Sequence, residues 1–316
     1  MKKPRLRLTA PTWLQQLLQS HRDAFEPTYA RSLTDHLPMM LLAMHGLGAS
    51  RDSIEKVHTN YIRRLTPAVR AEIVAISDVE SVLGDDSAYR SLVRFFDAEV
   101  AEKGVEQTLK TYLPKIHSGW VRHAFHGTIR LAYGIRFNVA SEISAGLAYQ
   151  TCAGSDDRLA HIARHATPAQ RFVWPPAIDI TTSRFDSQYE EAMVADTFAI
   201  HTHVLPDNER QVAEDVLSLF NHTQNFFALH MVTGTHAMGI CADAIGANVD
   251  GLMNAGLAAT YLAVGAPNFS PNAQPRPLRM DFAHEVKVAF SCADQAGRLG
   301  SERYVEAYAT YDQAFS

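Results

Sequence analysis

The chain lacks most of the signatures by which enzymes announce themselves. It has three cysteines, Cys152, Cys241 and Cys292, odd in number, far apart and without Cys-x-x-Cys spacing. That pattern suggests reduced thiols in a cytoplasm. No run approaches the roughly 18 apolar residues of a membrane span. The basic start, Met1 to Arg7, has no apolar segment behind it and does not read as a secretory signal. A surplus of positive charge is also missing, because the formal net charge is -5. Nucleic acid is therefore not expected as the main partner.

Glycine-rich phosphate loops are absent, both Gly-x-Gly-x-x-Gly and Gly-x-x-x-x-Gly-Lys, so neither a dinucleotide nor ATP has a fingerprint here. No Gly-x-Ser-x-Gly elbow occurs. His284-Glu285 begins like a zinc-protease helix, but the second histidine four residues on is missing, and no His-Asp dipeptide exists. His21 and Asp23 have the spacing of some strand-borne iron sites, but they fall in a polar helical stretch and are set aside.

What the chain does have is a globular balance, with 47% hydrophobic and 20% charged residues, and fifteen histidines. Three of these, His117, His123 and His126, stand within ten residues and run into an apolar segment, Gly127 to Ile135. On a helix His123 and His126 share roughly one face, and Gly127 allows a backbone or a ligand to come close. Each imidazole has two readings: a core group satisfied by a carbonyl, or a ligand or acid/base group in a pocket.

Helical periodicity dominates the rest, and strand signals are sparse. It predicts helices over 12–31, 35–50, 51–65, from 86 through Val105, from the histidine-rich stretch through Ala148, from Asn208 through Ile240, over 253–264, over 280–290 and over 302–315. The expected fold class is all-α, a single mainly helical domain over 1–316 enclosing a buried site. Residues 150–215 are the least legible, a candidate lid or insertion, with Phe198 to Leu205 a possible short strand carrying His201 and His203. His36 and His45 are nine apart and point in opposite directions on one helix, and His36 is the better site candidate. His161 and His165 are four apart, but Arg158, Arg164 and Arg171 around them point to a solvated face. His230 and His236 diverge and need not serve one site. Ala266 to Pro277 reads as a linker.

Four stretches stand in an order seen in a known family: Asp35-His36-Leu37-Pro38 with Leu47 to Ser50, Phe125-His126 through Gly134, Leu229-His230 through Thr233, and His284-Glu285-Val286-Lys287. The chain resembles the questin oxidase-like family at both ends and in the middle, with 150–215 uncovered. The resemblance implies an all-helical oxidoreductase that oxygenates or opens a ring of a polycyclic aromatic polyketide, such as an anthraquinone, with dioxygen as co-substrate. It also implies non-heme Fe(II) held by His36, His126, His230 and His284 together with Lys287 carboxylated on its amine, with His126 and Lys287 central to catalysis. The need for an external reductant such as NADPH stays open. Asp35 stands where the family often has Asn, and Phe282-Ala283 replaces an expected acidic pair.

The chemistry is reasonable on its own terms. Imidazole suits iron, a carboxylate-type oxygen offsets its charge, and His284 and Lys287 are one helical turn apart. Met39, Met40, Trp120, Phe125, Phe226 and Phe227 lie beside these positions in sequence and are the candidate walls of a flat aromatic pocket. Two other classes remain open: a zinc-type hydrolase built on the same histidines, and a helical binding protein without catalysis.

Overall fold

The computed structural model describes residues 5–30, 33–69, 72–169, 173–195, 203–204 and 207–312. The chain is all-α. Its elements in order are α1 (Thr12–Ala24), β1 (Thr28–Tyr29), β2 (Leu33–Thr34), α2 (Leu37–Gly46), α3 (Arg51–Tyr61), α4 (Tyr89–Ile116), α5 (His126–Phe137), α6 (Ala140–Ala153), α7 (Asp157–Arg164), β3 (Thr167–Pro168), α8 (Phe185–Val194), β4 (His203–Val204), α9 (Asn208–Thr223), α10 (Phe226–Ile245), α11 (Asp250–Ala263), α12 (Phe282–Arg298) and α13 (Glu302–Tyr311). β1 pairs antiparallel with β2, and β3 pairs parallel with β4. One hydrophobic cluster extends from Ala10 to Tyr311 and joins the helices. The possible strand over Phe198 to Leu205 lies outside the described residues except for the two residues of β4.

Three long helical periods are interrupted, each by a backbone event. α1 stops at Ala24, short of residue 31, because Phe25 is extended and Pro27 cannot donate to a helical carbonyl. The stretch expected to run through Ala148 as one helix is two, since Asn138 turns left-handed (φ 54°) and ends α5. The period from Asn208 breaks in the same way at Gln224 (φ 52°), which separates α9 from α10. Within α4, Gly104 (φ 78°, ψ 161°) makes a kink.

The break at Asn138 folds α5 back along α6, and glycines on the seam let the two backbones touch. A Cβ on Gly127 would lie 2.9 Å from Gln150 Cα, and one on Gly146 only 2.4 Å from Leu131 Cα. The close approach inferred at Gly127 is thus made by a backbone. This contact sets the position of α5 and hence of His126. Gly146→Ala is expected to destabilise the protein by about 2–3 kcal/mol through overpacking. A thermal midpoint that stays put in that variant would show that α6 can slide without cost.

Candidate metal centre

His36 sits at the start of α2. Asp35 Oδ1 accepts the Leu37 N–H at 2.9 Å, while its Oδ2 lies 2.6 Å from His21 Nε2. The His36 N–H itself donates to the Tyr61 hydroxyl at 3.3 Å. His126 opens α5 after three consecutive left-handed residues, His123, Ala124 and Phe125 (φ 51°, 51° and 65°). Such a run costs each non-glycine residue on the order of 1 kcal/mol or more. Its product is a carbonyl aimed at the next ring, with His126 Nδ1 2.5 Å from the His123 oxygen. The earlier reading that put His123 and His126 on one helical face is corrected by this turn, which lies ahead of the helix.

His230 lies in the second turn of α10, with Nδ1 2.9 Å from the Phe226 carbonyl. His284 lies in the first turn of α12, with Nδ1 2.5 Å from Asp281 Oδ2. Asp281 also caps that helix by accepting from the Ala283 and His284 N–H groups. One turn on, Lys287 is fully buried, and its Nζ approaches His36 Nδ1 to 3.1 Å. Thus α2, α5, α10 and α12 bring together four histidines and a lysine spread over 251 residues of sequence.

The ligating-type nitrogens of His36, His230 and His284 all lie within 4.8 Å of one another. His126 Nε2 joins them at 2.9 Å from His36 Nε2. In His126, His230 and His284 the oxygen partner takes the Nδ1 proton and leaves Nε2 unprotonated. Nε2 of His230 and of His284 is buried with no hydrogen-bond partner, which costs about 1–3 kcal/mol each if nothing else is bound. Anchored Nδ1–H groups and converging Nε2 lone pairs are the arrangement that orients imidazoles on a metal. The residues present therefore fit a divalent transition metal.

The electrostatics agree. Burial, and then the neighbouring Lys287 amine, hold His36 and His126 far below the usual imidazole range. Burial, then His126, does the same to His230. Burial also lowers His284, although its hydrogen bond to Asp281 works the other way. Every ring is thus neutral, the form that binds metal. Desolvation brings Lys287 down to about 7, with Asp281 opposing. Burial disfavours the Asp281 carboxylate, but the hydrogen bonds from His284 outweigh it and hold Asp281 at about 2.

A cavity of about 670 Å³ opens beside this cluster, large enough for a flat polycyclic molecule. His36, His126 and His284 form part of its wall, with Phe226 and Phe227 next to them. The Phe226 ring centre is 4.7 Å from that of His230 and 4.9 Å from that of His284. The four other predicted wall residues are corrected: Met39, Met40, Trp120 and Phe125 are core residues outside the cavity lining. Phe125 packs on Gly234, where a Cβ would come within 2.5 Å of its ring, and Trp120 is buried in the connection between α4 and α5, its carbonyl accepting from the Thr128 hydroxyl. Apolar spacing marks a side as inward-facing but does not separate dry core from cavity.

Several other histidines among the described residues serve elsewhere. His45 faces the Thr9 carbonyl at 3.0 Å, and His236 pairs with Asp294 at 2.8 Å. His161 and His165 are exposed, and His117 packs edge-on against Trp120. His21 turns to Asp35 and away from Asp23, which is held by Arg22. The sequence reading missed Tyr61, Tyr149, Arg64 and Asp281, all of which line the cavity. Only Asp281 carried a signal, as an acidic cap three residues before His284.

The sequence profile of the questin oxidase-like family matches residues 33–223, more than half of the chain. This chain belongs to the questin oxidase-like family. The match takes in 150–215, the stretch that the motif comparison left uncovered, and it includes His36 and His126. His230, His284 and Lys287 lie beyond it, and the fold carries them to the other two. Relatives of this family member include the Baeyer-Villiger monooxygenase AacuH of Aspergillus aculeatus, 28% identical over 164 residues, 46% of this chain and 33% of the relative. The Baeyer-Villiger oxidase AgnL3 of Paecilomyces divaricatus is 25% identical over 174 residues, 50% of this chain and 37% of the relative. The chain spans about a third of the length of these curated relatives. Among the described residues no helix is long and apolar enough to cross a membrane.

Proposed function

We propose that this chain is an iron-dependent oxidoreductase that uses dioxygen to oxygenate, and in doing so to open, a ring of a polycyclic aromatic ketone of the polyketide type. The observation that carries the reading is the convergence of four neutral histidines, three of them Nδ1-anchored, and a buried lysine, with His36, His126 and His284 on the wall of a cavity of about 670 Å³. The names of the two relatives support an oxygen insertion next to a carbonyl as the reaction class. Bound iron would supply the electron transfer that lets dioxygen react with a closed-shell aromatic molecule. Inserting one oxygen atom while the other leaves as water consumes two electrons, so a reductant such as NADPH completes the balance.

The protein's own share is positioning and charge. The carbonyls of His123 and Phe226 and the Asp281 carboxylate hold the imidazole tautomers. Phe226 and Phe227 offer ring faces to a planar substrate. Lys287, with its amine pushed toward neutrality, has the lone pair needed to add carbon dioxide: a nitrogen–carbon bond forms, a proton leaves, and the carbamate oxygen contributes negative charge to a site otherwise made of neutral rings. After anaerobic purification and reconstitution, the chain is expected to hold about one iron and to consume oxygen only when an anthraquinone-type ketone and a reductant are supplied. Stoichiometric zinc with no oxygen uptake would overturn this reading in favour of the hydrolase.

A further inference from the structure

Five helices begin at the cavity. His36, His126, Phe185, Phe226 and His284, each at or within three residues of the start of α2, α5, α8, α10 and α12, all line it. A helix start carries roughly half a positive charge on its unpaired N–H groups. Asn225, a neutral residue, caps α10, and α5 and α8 begin with no side-chain cap at all.

Two guanidinium groups add full charges to the same wall, Arg64 just after α3 and Arg184 just before α8. The Arg64 guanidinium carbon stands 3.5 Å from the centre of the Tyr61 ring, and the Tyr61 hydroxyl accepts the His36 N–H. Arg64 is therefore tied to the metal-site histidine through one side chain. Among the described residues, no carboxylate comes within ion-pair distance of Arg64 or Arg184. The carboxylates of the cavity are mostly engaged: Asp281 holds His284, and Asp186 accepts the His123 N–H at 2.9 Å, which leaves Asp86.

We infer that the substrate binds as an organic anion, its carboxylate or ionised phenol held by Arg64 and Arg184 while the aromatic frame lies toward the histidines. This rests on the aromatic-substrate reading above and specifies which members of that class the cavity takes. Guanidinium forks match planar oxyanions in two-point contact, and pinning Arg64 on Tyr61 reduces the entropy lost when it clamps one.

The test is equilibrium binding to the purified full chain of three probes: anthraquinone-2-carboxylate, the matched carboxamide, and 2-hydroxyanthraquinone above its phenol pKa. The carboxylate is expected to bind on the order of tenfold tighter than the carboxamide, the scale of one charge-assisted hydrogen bond. The hydroxyanthraquinone arm shows whether a phenolate serves as well as a carboxylate. Arg64→Gln and Arg184→Gln should each shrink the ratio, and the double variant should bring it close to one with carboxamide affinity unchanged. That unchanged affinity also shows that the variants fold. Equal binding of carboxylate and carboxamide by the unmodified protein, or a preference that persists in the double variant, overturns the inference and leaves the aromatic reading standing. Failure of all three probes to bind overturns the aromatic reading, and the inference with it.

Discussion

His230→Ala should give a folded protein that no longer retains iron, with metal affinity down by more than about 100-fold. That exceeds the roughly 10–100-fold loss expected when only an outer partner of a ligand is removed. His230 is fully buried, its Nδ1 is committed to the Phe226 carbonyl, and its Nε2 has no partner within the protein. In the metal-free protein two effects of truncation oppose each other. An unsatisfied buried nitrogen disappears, which relieves about 1–3 kcal/mol, while lost ring contacts and a void cost a comparable amount. The metal-free thermal midpoint should therefore move little while metal retention collapses. Elemental analysis beside circular dichroism reads the two separately. A variant that keeps stoichiometric iron removes His230 from the site, and one that unfolds shows that the ring is structural.

Lys287 should give the second large effect, and its sign depends on whether the site is loaded. In the unloaded protein its amine is brought from 10.5 to about 7 by burial. A lysine whose folded pKa lies below its unfolded value binds fewer protons folded than unfolded between those two pH values. Stability of the unloaded protein therefore rises with pH from about 7 toward 10.5, at up to about 1.4 kcal/mol per pH unit from this group. Lys287→Met removes the buried amine at similar length, so the unloaded variant should be more stable than the parent near pH 7 and should lose much of that slope. Chemical denaturation of both proteins across this window measures it, and parallel pH profiles would contradict the burial argument.

Activity should move in the opposite direction. Lys287→Ala is expected to abolish turnover and to recover part of it with added acetate or propionate, which can enter the vacated space and restore an oxygen donor. Lys287→Arg fills that space with a permanent cation and should not be rescued. Intact-protein mass of the loaded parent should exceed the sequence mass by one carbon dioxide in addition to the metal. An unmodified lysine in an active, iron-loaded protein would sink the carbamate while leaving the histidine site standing.

The helical class was legible in the sequence because apolar spacing is a local property, and all of the long helices except the interrupted ones follow it. The spacing of His284 and Lys287, one turn apart on one helix, allowed both to serve one site, but their pairing came from the resemblance. That His36 and His45 cannot both face one pocket followed from rotation along a helix, and His45 faces the Thr9 carbonyl. The joining of His36, His126, His230 and His284 in the reading came from their order in four family-like stretches, since no spacing rule relates residues so far apart.

Only the tertiary structure decided the rest. The left-handed run His123–Phe125 and the break at Gln224 place neither glycine nor asparagine where the backbone turns, so nothing in the residue types marked them, whereas Asn138 is a residue that tolerates the left-handed turn. The same structure separated Phe226 and Phe227, which open the cavity at the start of α10, from Met39, Met40, Trp120 and Phe125, which fill the core. Hydrophobic periodicity reports that a side chain leaves water. Whether it then meets other side chains or a space kept for a ligand depends on where neighbouring helices begin, and that is set by packing between residues far apart in the chain.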